Sequence, residues 1–288
     1  MQWTLRQVLT CLIGSTLLTS CFGIGGLITW KKIRHSRRLD SRYWITAIVQ
    51  TGPEKEALKT SYLAELLDLS VDRPLSLYAY NLKKGKEKLL SSPLIVEATL
   101  SPLFPSTLYI DYEVRKPIAW LADYQNVAID EQGYLFPVAP FLSPKELPEI
   151  YLGLPPFGAP SGGAWNTPLA QETFRLSLEI LKEAKKQEGL SLKRIDVSNA
   201  FVESLGSREV VLFTEEEIWM QEESYLFPKI LRLSPKDYQQ QLAHFLILRR
   251  GILEEYRKQL TSSSQKGGKF APRIIDLRIP ELAFVENH

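Results

Sequence analysis

The sequence predicts an α+β fold: a single N-terminal transmembrane helix, a small module ordered strand, helix, helix, strand, strand, and then a mixed antiparallel sheet carrying helices. Three observations predict it. Val8 to Trp30 runs for 23 residues without a charge, enough for a helix to cross a hydrocarbon core that needs about 20 apolar residues. From Tyr43 onward, stretches of hydrophobic period two alternate with stretches of period 3.6. After Gly189, short alternating segments follow one another closely, as in an antiparallel sheet.

The N-terminal part divides into a short cytoplasmic stub (1–7), the span (8–30) and a basic linker (31–42). "KKIRHSRR", Lys31 to Arg38, places five Lys/Arg after the span. By the positive-inside rule alone that side stays in the cytoplasm, although long following domains translocate despite such a bias. Arg6, the apolar run and "LTSC" form a second pattern, a lipoprotein signal with Cys21 acylated. Against it, the apolar stretch continues to Trp30, beyond the 7–15 residues of a secretory core region. Both cysteines, Cys11 and Cys21, lie in this stretch, so the remainder of the chain has no disulfide framework and no Cys-type zinc site.

In residues 43–116, "YWITAIVQTG" reads as a strand. "PEKEALKTSYLAELLDLS", from Pro53, sets Leu58, Tyr62, Leu63, Leu66 and Leu67 on one helical face. "LYAYNLKKGKEKLLSSP" reads as a second helix despite Gly85, and "LIVEATLSPLFP" and "TLYIDYEVR" as two strands. Within the last, Leu108, Ile110, Tyr112 and Val114 share one side, and Pro117 ends the ladder because it lacks an N–H.

In residues 117–288, "VAID" and "YLFP" flank a turn at Gly133, and Leu154–Thr167 is a Pro/Gly loop. Thr167-Pro168 is expected to start a helix running to Gly189, with Leu169, Thr173, Leu176, Ile180 and Ala184 as its stripe. "LKRIDVS", "AFVESL", "EVVLFT", "EIWMQ" and "FPKILRL" read as short strands. Ser234-Pro235 opens a helix with Tyr238, Leu242, Phe245, Ile252, Tyr256 and Leu260 on its apolar face. "TSSSQKGGK" is a flexible loop, and Arg273 to Glu286 reads as one terminal strand.

Little here supports catalysis. The net charge of +2 argues against nucleic acid, and three scattered histidines (His35, His244, His288) support neither a catalytic triad nor a metal site. "GGK" lacks phosphate-loop spacing. Glu215–Glu217 and Glu222-Glu223 read as solvated turns, and Trp120, Trp165 and Trp219 as packing. The chain is therefore expected to have no catalytic residues, cofactor, metal or small-molecule substrate.

Four motifs in order carry a resemblance. "SSPLIVEATLSPLFPSTLYIDYEVRKPIAWL" (91–121), "AIDEQGYLFP" (128–137), "LPEIYLG" (147–153) and "IDLRIP" (275–280) are similar to successive patterns of the FtsQ/DivIB family of bacterial division proteins. The resemblance spans nearly the whole chain. It implies a single-pass protein of the cytoplasmic (inner) membrane with an extracytoplasmic body, in which 43–116 is a POTRA domain and 117–288 the family's β domain. It implies a non-enzymatic divisome scaffold at the septum that binds FtsB/FtsL-type bitopic partners through its terminal strand. Matching that strand residue by residue gives Ile275, Asp276, Leu277, Arg278 and Ile279, with the alternative that pairing is shifted or begins later, at Leu282 to Val285, including Phe284. Ile279 stands where the family has an aromatic residue, and Pro280 removes a ladder donor. Val114-Arg115-Lys116-Pro117 stands where Glu-Arg-x-Pro is typical, with the acid at Glu113. The rival expectations are an envelope lipoprotein or POTRA-type assembly factor, which would use the same strand addition, and a membrane-tethered hydrolase with a cleft of carboxylates.

Overall fold

The structure, a computed structural model, describes residues 5–53, 56–187, 190–220, 223–262 and 268–286. It is α+β with mixed sheets, in two compact units, Met1–Val114 and Arg115–His288.

The first unit begins with α1 (Leu5–Leu39). Among the described residues no helix is long and apolar enough to cross a membrane, which overturns the span expected over Val8–Trp30. From Gly14, where the side chains are described, to Trp30, nine of the residues are Gly, Ser or Thr, whereas a span is built of mainly apolar residues. Of the expected stub, residues 1–4 lie outside the described residues and 5–7 already belong to α1; the first side chains of the expected span are likewise outside this description. Beyond Trp30 the helix runs on through the basic segment, so residues 31–39 are helical rather than a linker. Its end is tied down by Arg37, whose Nη1 donates to Tyr78 Oη at 2.9 Å, and by Ser76, whose Oγ donates to the Arg37 carbonyl. Cys21 is exposed on this helix.

The rest of this unit is β1 (Ala47–Thr51), α2 (Thr60–Leu66), α3 (Leu82–Ser91), β2 (Ile95–Leu103) and β3 (Thr107–Val114). The three strands lie in the order β1-β3-β2, with β1 parallel and β2 antiparallel to β3. Leu108, Ile110, Tyr112 and Val114 of the central strand are buried while Asp111 and Glu113 are exposed. Each buried apolar side chain of this kind contributes about 1.5–3 kcal/mol. Pro102 sits in β2, an edge strand, where its missing N–H is tolerated.

Both helices start later than the hydrophobic pattern suggests. Tyr112 Oη accepts the Leu58 N–H at 2.9 Å and donates to Gln50 Oε1 at 3.0 Å, so the backbone before Thr60 serves the sheet. Asn81 caps α3, its Oδ1 accepting the Lys84 N–H at 3.1 Å. Gly85 is buried within α3, where an added Cβ would lie 2.7 Å from Tyr80 Oη. This close approach offsets the glycine's helix cost of about 1 kcal/mol. Burial, with Asp68 adding to it, pushes the Tyr80 phenol up to about 12.

The second unit contains β4 (Ala119–Leu121), β5 (Val127–Ile129), β6 (Leu135–Pro137), β7 (Glu149–Tyr151), α4 (Glu172–Lys185), β8 (Ser191–Asp196), β9 (Val210–Met220), β10 (Glu223–Leu233), α5 (Tyr238–Ser262), β11 (Gly268–Lys269), β12 (Arg273–Asp276) and β13 (Phe284–Glu286). They form a 10-stranded sheet in the order β13-β12-β10-β9-β8-β7-β4-β5-β6, with β11 also paired to β10. It is mixed: β4–β7, β7–β8 and β10–β12 are parallel. Parallel neighbours need long crossovers, and α4 and α5 lie within the last two. Phe174, Ile180 and Leu181 of α4, with Leu242, Phe245, Ile252 and Tyr256 of α5, join the sheet's inner face in one core.

Two acids, Asp130 of the second motif and Asp123, organise this unit. Asp130 Oδ1 accepts the N–H groups of Gln132 and Tyr134 at 3.0 and 2.8 Å, while its Oδ2 meets Arg115 at 2.9 Å. Asp123 accepts the N–H groups of Leu152 and Leu154. Between β5 and β6, Gly133 has φ +89, a conformation that favours glycine. Its carbonyl accepts the Leu169 N–H at 2.9 Å, so Leu169 is held against the hairpin and α4 begins at Glu172, capped by Gln171, not at Pro168.

Several expected elements differ. Residues 200–205 are not a strand: a turn and irregular chain lead into a short 3-10 helix at Leu205–Ser207. "EVVLFT" and "EIWMQ" merge into the continuous β9, so Glu215–Glu217 lie within a paired strand and not in a solvated turn; Glu222 lies outside the described residues. Trp219 is 67% exposed. The expected terminal strand is folded in two at Ile279–Leu282.

Candidate partner-binding edge

Strand β10 is flanked by two charged clusters. The first is buried. Glu216 on β9 takes Lys229 Nζ on one carboxylate oxygen and Arg249 Nε, from α5, on the other. The Lys229 side chain is fully buried; burial lowers its pKa, opposed by the hydrogen bond and charge of Glu216. Arg273 stacks over the Tyr256 ring at 4.8 Å and pairs with Glu255 at 3.0 Å. These contacts join β9, β10, β12 and α5.

The second cluster lies at the terminal end of the sheet. Arg278 Nη2 pairs with Asp276 at 2.7 Å and its Nη1 lies 3.3 Å from Glu209, which also holds Arg232 at 2.6 Å. Burial alone would raise the Asp276 pKa, but hydrogen bonds from Arg278 and the charges of Arg278 and Arg232 outweigh it and hold the carboxyl below its ordinary value of 3.8. The hydrogen bond to Asp276 raises the Arg278 pKa in turn.

Strand β12 is covered on both sides. It pairs parallel with β10, Leu231 opposite Ile275, and antiparallel with β13, Ile275 opposite Val285. Ile275 and Leu277 are buried in the core, at 0% and 3% exposure. Pro280 and Glu281 make the turn between the strands, closed by the Leu282 N–H donating to the Ile279 carbonyl at 3.2 Å. Proline therefore falls where no ladder bond is needed. Strand β13 is an edge of the sheet, opposite the β6 edge, and Ile279, Leu282, Phe284 and Val285 are exposed along it and its turn. Beside it a hollow of about 490 Å3 is lined by Phe201, Leu205, Arg208, Arg278, Ile279 and Phe284, among others.

Of the eight residues matched to a partner-binding strand, the structure thus turns Ile275 and Leu277 inward, ties Asp276 and Arg278 into the charge cluster, and exposes Ile279, Leu282, Phe284 and Val285. Phe201 and Leu205 were missed; the misread strand at 200–205 hid an exposed apolar loop. Among the described residues no three His, Cys, Asp or Glu side chains gather as metal ligands. No protein-family model matches the chain, and no curated protein matches it.

Proposed function

We propose that this chain is a non-enzymatic binding protein of the bacterial division machinery, of the FtsQ/DivIB type, acting on the extracytoplasmic side at the septum. The observation that carries the reading is the free edge β13, with exposed Phe284 and Val285. An unpaired strand edge accepts a partner strand through backbone hydrogen bonds, and its side chains select the sequence. The four ordered motifs supply the family. Two of them supply Arg115 and Asp130, which form an ion pair. The partners on this reading are FtsB/FtsL-type division proteins. A fluorescent fusion followed through a division cycle tests the proposal: accumulation at the constriction before closure is expected, and uniform signal from a complementing fusion refutes it. Phe284→Asp is expected to abolish partner capture in a chain that still folds.

A further inference from the structure

On the α5 side of the terminal turn lies a groove of about 620 Å3, lined by one flank of α5 and by Leu277 and residues 279–283. Its walls carry exposed Ile247 and Leu248 from the helix and Ile279 and Leu282 from the turn. Gln241 lines it and is only 5% exposed. Its Oε1 accepts the Ser234 N–H at 2.7 Å, which fixes the orientation of the amide, and its Nε2 is buried without a partner. A buried donor of this kind is stabilised by any occupant that brings an acceptor. The acidic residues lining the groove, Asp237 and Glu281, form no ion pair among the described residues.

We propose that this groove receives an extended, apolar segment bearing Lys or Arg, contributed by the partner immediately after the strand that it adds to β13. The inference rests on the edge reading above and states the chemistry of the next part of the partner. A strand added antiparallel to β13 ends beside Phe284, and its following residues pass Ala283 and Leu282, which line the groove. An extended segment keeps backbone carbonyls free for Gln241 Nε2, whereas carbonyls inside a helix are already bonded. Asp237 and Glu281 select cationic over anionic side chains.

The test titrates the full chain with a short synthetic leucine–lysine peptide and its leucine–glutamate counterpart. The lysine peptide is expected to bind about tenfold more tightly, an ordinary effect of charge complementarity. Ile247→Ser and Leu282→Ser, at exposed positions that leave the fold intact, should each weaken it by about tenfold. Asp237→Asn with Glu281→Gln should remove the lysine preference. Equal binding of both peptides, or indifference to Ile247→Ser and Leu282→Ser, overturns the proposal. Partner capture by the Phe284→Asp chain separates the two readings. Loss of capture beside an indifferent groove sinks the groove alone. Intact capture beside a lysine-selective groove sinks the edge reading, and with it the placement of the segment after an added strand.

Discussion

The two charged clusters on either side of β10 use the same chemistry to different ends. Around Glu216 the Lys229–Glu216 pair is sealed from water, at 0% and 5% side-chain exposure, so each of these two charges must be matched or the fold suffers. Around Asp276 they remain partly wet, at 17–36% side-chain exposure for Glu209, Asp276, Arg278 and Arg232, and can be rearranged at smaller cost. Burial, more than the number of ion pairs, decides which cluster holds the domain together and which can be rearranged.

The sharpest way to break this comparison is Lys229→Ala. Removing Lys229 leaves one buried Glu216 oxygen without its cation and Arg249 as the carboxylate's remaining partner, and the expected loss is about 3 kcal/mol in urea denaturation. Replacing all three charges together, Glu216→Leu, Lys229→Met and Arg249→Leu, should recover most of it, since apolar residues of similar volume remove the desolvation penalty together with the attraction. A single mutant that melts like the parent would show that the buried cluster carries no such load.

Edge variants come next. Val285→Asp is expected to weaken partner binding by about tenfold while the unfolding midpoint stays unchanged, read by titration beside a melt. Asp276→Asn should cost about 1 kcal/mol and should also flatten the acid limb of stability. The Asp276 pKa is lowered in the folded chain, so its stabilisation is complete above the unfolded value and is lost as pH falls through the folded one. Melts at about pH 6 and pH 3 compare the two chains around the ordinary carboxylate value. The smallest effect belongs to the surface pair of Arg194 and Glu149, with side chains 54% and 43% exposed. Arg194→Gln should change stability by less than about 0.5 kcal/mol.

What could be read from sequence follows the same division between local and distant causes. The alternation in β3, the Gly133 hairpin and the apolar face of α5 are encoded within a few residues, and each stands where the pattern placed it. Helix starts were less legible, because Leu58 and Leu169 give their N–H groups to Tyr112 and Gly133 elsewhere in the chain. Glu216 was misread because its two cations lie 13 and 33 residues away, and nothing near it announces a buried charge. At the candidate site, period two was enough to set Ile275 and Leu277 on one face. That Pro280 folds the segment back, making β13 the edge, was hidden because a proline marks an interruption without saying which way the chain then turns.

The parallel pairing of β12 with β10 carries one more consequence. A chain leaving β10 cannot return alongside it in the same direction by a tight turn; here it travels through the length of α5 first. Strand β13 hangs on β12 in turn. The outermost rung is therefore available only while the helix is seated and everything behind it is in place. On the proposed reading, a partner docking on this rung would inspect the finished domain as it binds, and a misfolded copy would be left unrecruited.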